Sequence, residues 1–424
     1  MSIKIAIFSF NTEAQLFCCK CNEKETCGAP RKFFDFFGPK CVLSDFATKF
    51  IADMVKFYEP PDIFIISLQE SSIKNPKKGF KSDQLIEAFF DCVNKNIQDV
   101  PYSKFSEKME GVGIEGVRGL RISLIINQKI KNPDIRFLFY RPLFESKISI
   151  SEGQHFGKGA IMLDLQFNKE ENNKFDLSFI NTHLPFLEKK TDLGKSVRNQ
   201  TIKETMEYFQ KKIKSDEQKW ENKKIFFMGD LNYRMDFGEN KKAEEQFIDL
   251  LKKNKDTATN EIIINAMPEY LKYDQLTNSI GDNNLVLLKN FKEGVDNKGP
   301  NFLPTCKLIK KCPIENRREY QLAKGKRVRV PSWCDRILYH GDNIDCKLYN
   351  SFDNGQTCKS DHIPVIAFFE IKNPKQTDDA TGLKQAGNDT NLKQVGGNAN
   401  MYYQKYLKYK QKYLDLKENK LVEI

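Results

Sequence analysis

Eight polar side chains sit at or beside the ends of apolar, strand-like runs: Asn11, Glu70, Asn181, His183, Asp230, Asn232, Asp361 and His362. Their carboxylates and amides form an oxygen-donor set without thiolates, which suits a hard divalent cation and points to Mg²⁺ rather than zinc. Hydrated Mg²⁺ needs only one or two protein carboxylates beside a substrate phosphate, so Glu70 is the first candidate ligand, with Asn11 and Asp361 placed to assist. The chain has only four histidines, and two of them, His183 and His362, fall in this set. In Ser360-Asp361-His362 the carboxylate would orient and charge the imidazole as a donor to a phosphoryl oxygen. Asp230 and Asn232, two apart at a strand end, face the same way, and one can take a proton from a water that the other aims. Together these groups describe metal-assisted hydrolysis of a phosphate ester by direct attack of water, with no covalent intermediate. No GxxxxGK[ST] phosphate loop is present, so nucleoside triphosphate binding of that kind is unsupported.

Such residues need elements to carry them to one place. Ile3 to Phe10 predicts a buried strand ending on Asn11, and Asp45 to Tyr58 an amphipathic helix. Pro60-Pro61 breaks that helix before a second strand, Ile63 to Leu68, which runs out on Glu70. "GLRISLIIN" and "IRFLFYR" predict one hairpin, and "KGAIMLDLQF" with "FDLSFINTHLPF" another, the latter ending on Asn181 and His183. A helix from Lys195 to Ile213, with Val197, Ile202, Met206, Phe209 and Ile213 on one face, precedes "KKIFFMGDLNYRMDFG". Helical sequence then runs to about Leu271 and a loop-rich span to Lys326, followed by "VPSWCDRILY", "DCKLYNSF" and "KSDHIPVIAFFEI". Two packed sheets would gather such strand ends at one rim.

The globular unit is expected over residues 1–371, since 40% of residues are hydrophobic, enough for a large core. Residues 372–400 turn to Gly, Asn, Gln, Thr and Lys, a composition that buries nothing and predicts a disordered linker. Residues 401–424 place Tyr402, Tyr406, Tyr409, Tyr413 and Leu416 at coiled-coil spacing among lysines, a helix expected to lie on a membrane surface or to self-associate. A formal charge of +11 fits nucleic acid, an anionic membrane or a polyphosphate. The chain starts without a signal-peptide pattern and holds no membrane-length apolar run, so a cytoplasmic protein is expected. Eleven scattered cysteines lack the spacing of a disulfide framework; Cys18, Cys19, Cys21 and Cys27 form a loop that either binds zinc or stays reduced.

"FFMGDLNYRMD" and "RVPSWCDRILY", in that order and about a hundred residues apart, resemble the paired signature of the inositol polyphosphate 5-phosphatases, within the endonuclease/exonuclease/phosphatase superfamily. "SLQE", "GKGAIMLDLQF", "NTHLPF", "SVRNQTI", "YDQLT", "NFLPTCK" and "SDHIPV" match in sequence order, so the resemblance covers residues 1–371. It implies a four-layered α/β sandwich, two mixed β-sheets face to face with helices outside and an active site at one rim. It also implies Mg²⁺-dependent removal of the 5-phosphate from phosphoinositides or soluble inositol polyphosphates. On that resemblance Glu70 and Asn11 hold Mg²⁺, Asp230 activates the water and Asn232 positions it. His183 and His362, the latter paired with Asp361, bind the scissile phosphate. Asp335 supports the catalytic network, and Arg336 ties the rim together and joins the substrate-binding set of Lys158, Arg198, Asn199, Lys307, Arg327 and Arg329.

This chain departs from the family in carrying Thr305-Cys306-Lys307 where members that prefer a 4,5-bisphosphorylated ring have Tyr-Lys after the Pro-Thr. Arg327 stands in place of the usual Lys, keeping the charge and changing the geometry. Phe186 and Leu187, flanked by Lys189 and Lys190, predict an apolar tip for an anionic membrane, so the protein is expected at the membrane surface rather than on nucleic acid. The competing functions are a nuclease of the same fold and an inactive membrane-recruiting scaffold. The tail resembles Tyr/Lys-rich C-termini of proteins from large DNA viruses, which implies a viral chain acting on host phosphoinositides.

Overall fold

The computed structural model describes residues 2–12, 51, 59–71, 82–97, 101–109, 119–141, 158–168, 174–186, 191–213, 223–253, 257–309, 319–324, 327–328, 330–352 and 360–372. All fall in the first of two compact units, Met1–Lys375 and Gln376–Ile424. The cysteine loop, the Asp45–Tyr58 helix apart from Ile51, Leu187, Arg329, the linker beyond Lys372 and the tail lie outside the described residues.

In chain order the strands are β1 (Ser2–Asn11), β2 (Ile63–Ser71), β3 (Tyr102–Met109), β4 (Gly119–Asn127), β5 (Lys131–Tyr140), β6 (Gly159–Asn168), β7 (Lys174–His183), β8 (Lys224–Asp230), β9 (Lys292–Glu293), β10 (Ala323–Lys324), β11 (Arg327–Val328), β12 (Asp335–His340), β13 (Ile344–Ser351) and β14 (Val365–Lys372). One sheet is ordered β13-β14-β1-β2-β4-β3, the other β5-β6-β7-β8-β12-β9, and β10 pairs with β11 apart from both. β1 with β2 and β7 with β8 are parallel, and the remaining pairs are antiparallel, so both large sheets are mixed. The helices are α1 (Ser82–Asn96), α2 (Thr191–Ile213), α3 (Lys241–Lys252), α4 (Thr257–Ala266) and α5 (Gln275–Gly281).

The near-continuous apolar runs have a cause in this layering, because alternate side chains of a strand enter different cores. Ile3, Ile5 and Ile7 of β1 face the second sheet, in one core with Ile161, Leu163, Phe226 and Met228. Ala6, Phe8 and Phe10 face outward onto Leu85, Ile86, Phe89 and Val93 of α1. In the second sheet Ile225 and Phe227 of β8 face Ile202, Met206, Phe209 and Ile213 of α2, the helix face expected from the sequence. Helix, sheet, sheet and helix therefore form the four-layered α/β sandwich. One expected hairpin is absent: β4 pairs with β2 and β3 in the first sheet, whereas β5 pairs with β6 in the second. Both segments are apolar enough to pair, but the chain between them crosses from one sheet to the other. The second expected hairpin is present as β6 and β7.

Apolar faces alone leave two sheets free to slide, and a buried polar clamp fixes them. Asn181 of β7 donates through Nδ2 to the Leu68 carbonyl of β2 at 3.0 Å and the Arg121 carbonyl of β4 at 2.7 Å. Its Oδ1 accepts from Gln69 Nε2 at 2.8 Å. Close approach of β7 and β8 also depends on Gly229, at φ +132°, where a Cβ would lie 1.9 Å from the Thr182 carbonyl oxygen. Gly229→Ala should therefore destabilise the fold by about 3 kcal/mol or more, through combined backbone strain and overpacking. Gly281→Ala, in open space at the end of α5, should leave the thermal midpoint nearly unchanged. Thermal unfolding of both variants checks this, and equal midpoints would contradict the close-approach role.

Candidate active site

Sheet register delivers the polar strand ends to one rim. The parallel β7–β8 pairing sets His183 opposite Asp230, and antiparallel β12 sets Asp335 opposite Asp230 on the other side. In the first sheet Asn11 pairs with Gln69, one residue before Glu70. Val365 lies opposite Ser9, which carries the preceding segment past Asn11, where Ser360 Oγ donates to the Asn11 carbonyl at 2.7 Å.

Asp230 is the centre. Its Oδ2 accepts from Asn11 Nδ2 at 2.8 Å across the two sheets, and its Oδ1 accepts the Asn232 backbone N–H at 3.0 Å. His183 Nε2 lies 3.3 Å from Asp230 Oδ2 and 3.7 Å from Glu70 Oε1. His362 Nε2 lies 4.0 Å from Asp230 Oδ2. Burial opposes ionisation of Asp230, but the His362 charge and the His183 contact outweigh it and hold the carboxyl well below the usual carboxylate range. Burial lowers His183 below its ordinary value, and the adjacent Lys158 ammonium lowers it further, so His183 is neutral at neutral pH. His362 behaves oppositely: burial is overcome by the charges of Asp335, Cys306 and Asp230, which raise it well above its ordinary value.

The partner that orients His362 is Asp335, which corrects the expected Asp361–His362 pair. His362 Nδ1 and Asp335 Oδ2 are 2.8 Å apart, whereas Asp361 Oδ1 is 3.7 Å from Nε2. Asp361 is salt-bridged to Lys307, a use that differs from the metal ligation expected of it. Thr305 Oγ1 donates to Asp335 Oδ2 at 2.7 Å and completes the support of His362. Burial pushes Asp335 up to about 6, with the His362 charge opposing the rise, so it is ionised at neutral pH beside the imidazolium.

Glu70 and Asn232 both hold left-handed backbone, at φ +49° and +54°. Glu70 sits at the register shift between Leu68 and Ser71, and Thr12 Oγ1 donates to its carbonyl at 3.0 Å. Asn232 donates through Nδ2 to the Leu184 carbonyl at 3.0 Å and accepts from Arg234 at 2.7 Å. Arg234, unassigned from sequence, also donates to Cys306 Sγ at 3.4 Å and stacks 4.5 Å over the Phe186 ring. Phe186 thus packs under a guanidinium, and is only half-buried.

Three residues expected to bind substrate build the scaffold, which for Arg336 is the rim-tying role also expected of it. Arg198 is buried, donates to Gln275 Oε1 at 2.6 Å and lies over the Tyr233 ring. Asn199 accepts from the Tyr233 hydroxyl at 2.5 Å. Arg336 is fully buried in a bidentate pair with Glu293 (2.6 and 2.5 Å) and reaches Asp274 at 2.8 Å, which ties β12 to β9 and to the N-cap of α5. The Arg327 side chain, like Arg329, lies outside the described residues. Gln69 and Thr305 are given no role by the sequence, and their signal is a place inside the "SLQE" and "NFLPTCK" motifs.

Asp230, Asp335 and His362 bring ligand atoms within 4.8 Å of one another. His362 Nδ1 and Asp335 Oδ2 are taken by their 2.8 Å contact and Asp230 Oδ2 by Asn11 at 2.8 Å, so these atoms serve a proton network. The residues that fit a divalent cation are Glu70, partly exposed at the rim, with Asn11 and Asp230 beside it, all offering hard oxygen donors.

These sheets, with carboxylates, amides and imidazoles gathered at one rim, define an α/β-sandwich of the endonuclease/exonuclease/phosphatase type. The model of Endonuclease/Exonuclease/phosphatase family 2 matches residues 40–368, and the chain belongs to that family. It is 24% identical over 340 residues to human phosphatidylinositol 3,4,5-trisphosphate 5-phosphatase 1, covering 77% of this chain and 24% of that protein. With type I inositol polyphosphate 5-phosphatase 1 of Arabidopsis thaliana it shares 29% over 219 residues, 49% of this chain and 32% of that one. The chain thus spans about a quarter to a third of these relatives. An endonuclease/exonuclease/phosphatase structure from Beutenbergia cavernae aligns with TM-score 0.42 and 11% identity, covering 87% of this chain and 72% of that one.

With ¹⁵N-labelled histidine, His362 should remain doubly protonated at neutral pH and His183 singly protonated. Asp335→Asn removes the main charge that raises His362, so its titration should move to lower pH. An unmoved His362 titration in that variant would refute the Asp335 assignment.

Proposed function

We propose that the chain is a divalent-metal-dependent phosphomonoesterase that removes the 5-phosphate from phosphoinositides or soluble inositol polyphosphates. One observation carries the reading: an ionised Asp230 is held within 4.0 Å of an imidazolium and beside neutral His183 and Glu70, where both sheets meet. The names of the sequence relatives supply the substrate class.

A phosphoester loses its phosphate when water attacks phosphorus while charge grows on the phosphoryl oxygens and the leaving oxygen. Bound Mg²⁺, held through Glu70 and Asn11, would acidify the attacking water and neutralise phosphoryl charge. Asp230 takes the proton. Its depressed pKa makes it a weak base, and its value lies in being ionised, fixed and adjacent. Asn232, locked by Leu184 and Arg234, holds the turn that aims the Asp230 carboxylate. His362 donates to a phosphoryl oxygen and stays charged through Asp335, while Lys158 and neutral His183 offer a second cationic and hydrogen-bonding flank. The +11 charge and the Phe186 face support approach to an anionic membrane.

Incubation with Mg²⁺ and either vesicles containing phosphatidylinositol 4,5-bisphosphate or inositol 1,4,5-trisphosphate should release inorganic phosphate. Chelation should abolish release, and Asp230→Ala should lower kcat roughly 10³-fold. Cleavage of abasic DNA without phosphate release from either substrate would replace this reading with the nuclease one.

A further inference from the structure

At the opposite end of the strands that carry Asp230 and Asp335 lies a second feature, a cavity of about 600 Å³. Six steps of β8 separate Lys224 from Asp230, roughly 20 Å at strand rise. The antiparallel register that sets Asp335 against Asp230 also sets His340 against Ile225, next to Lys224. β9 pairs Lys292 with Tyr339, bringing that lysine beside His340 as well. Lys289 completes a lining with three ammonium groups and one carboxylate, Asp342.

The floor of the cavity is built rather than left to mobile surface chains. Phe291 is buried and stacks on the His340 ring at 5.2 Å and 26°. His340 Nδ1 lies 3.3 Å from the Asn290 carbonyl. Gly341, at φ +120°, lets the backbone close on the Lys224 stem, where a Cβ would meet Lys224 Cγ at 3.0 Å. None of Lys224, Lys289 and Lys292 forms a salt bridge among the described residues. Burial lowers the half-buried Lys224 ammonium despite the opposing charges of Asp342 and Asp176, a cost that a bound anion would relieve.

We propose that this cavity is a second, non-catalytic site for a soluble small molecule carrying at least two phosphate groups. Its volume is that of a small-molecule site and exceeds the need of a single phosphate. Three ammonium groups against one carboxylate leave an excess positive charge that a multiply phosphorylated ligand matches. A membrane surface is the poorer occupant, because docking there would turn the rim of Asp230 away from the bilayer.

Four histidines make the test readable. The full chain, labelled with ¹⁵N-histidine and free of Mg²⁺, is titrated with pyrophosphate at constant ionic strength. The His340 resonances should shift saturably, and should do so equally in Asp230→Asn. Lys289 and Lys292 are exposed, so the double variant Lys289→Glu/Lys292→Glu should fold and bind at least tenfold more weakly. Three results would overturn the proposal: shifts confined to His183 and His362, a His340 shift reproduced by sodium chloride, or unchanged affinity in the double variant.

Discussion

Everything at the rim depends on two sheets being held at one relative position, and the interaction that holds them is polar. Isoleucine and phenylalanine faces supply most of the burial between the sheets, but such contacts are non-directional and tolerate sliding. Asn181 does not: its amide satisfies carbonyls of β2 and β4 while accepting from Gln69, all inside the core. A shifted sheet would strand each of these groups, at about 1–3 kcal/mol apiece. The Asn11–Asp230 hydrogen bond lies at the same interface and inherits that alignment.

From this constraint the electrostatics follow. Asp230 ends β8 in the second sheet, with His183 of β7 and Asp335 of β12 on its two sides in that sheet and Asn11 reaching it from the first. A carboxylate so surrounded stays ionised although it is buried, because its donors are in place before any substrate arrives. The two histidines differ in charge for reasons of neighbour rather than depth. Both are buried, but His362 leans on Asp335, and His183 faces Lys158. An imidazolium and a neutral imidazole thus flank a single carboxylate.

Much of this was legible in sequence because apolar runs that stop on polar residues mark strand ends, and strands in packed sheets end together. Asn11, Glu70, His183, Asp230 and His362 were found that way. The partner of His362 was not, since neighbours on an extended chain point to opposite sides, and Asp361 turns to Lys307. Arg336 ties the rim as the resemblance implied, through Glu293 and Asp274, but the substrate contact implied for it and for Arg198 does not follow from sequence, because only burial reveals that their guanidinium groups are engaged by Glu293, Asp274 and Gln275. β3 escaped notice because its mostly polar sequence, half exposed at a sheet edge, lacks the apolar run of the central strands. The β4–β5 crossover has the sequence pattern of a hairpin because proximity in sequence does not say which sheet a strand joins.

The central claim is that water, with Asp230 as its base, displaces the leaving group directly at phosphorus. The stereochemical course of hydrolysis tests this most directly, using an inositol 5-phosphorothioate made chiral with ¹⁸O and hydrolysed in ¹⁷O-water. Direct displacement predicts inversion at phosphorus in the released thiophosphate. Retention, the mark of two displacements through a covalent enzyme intermediate, would contradict it.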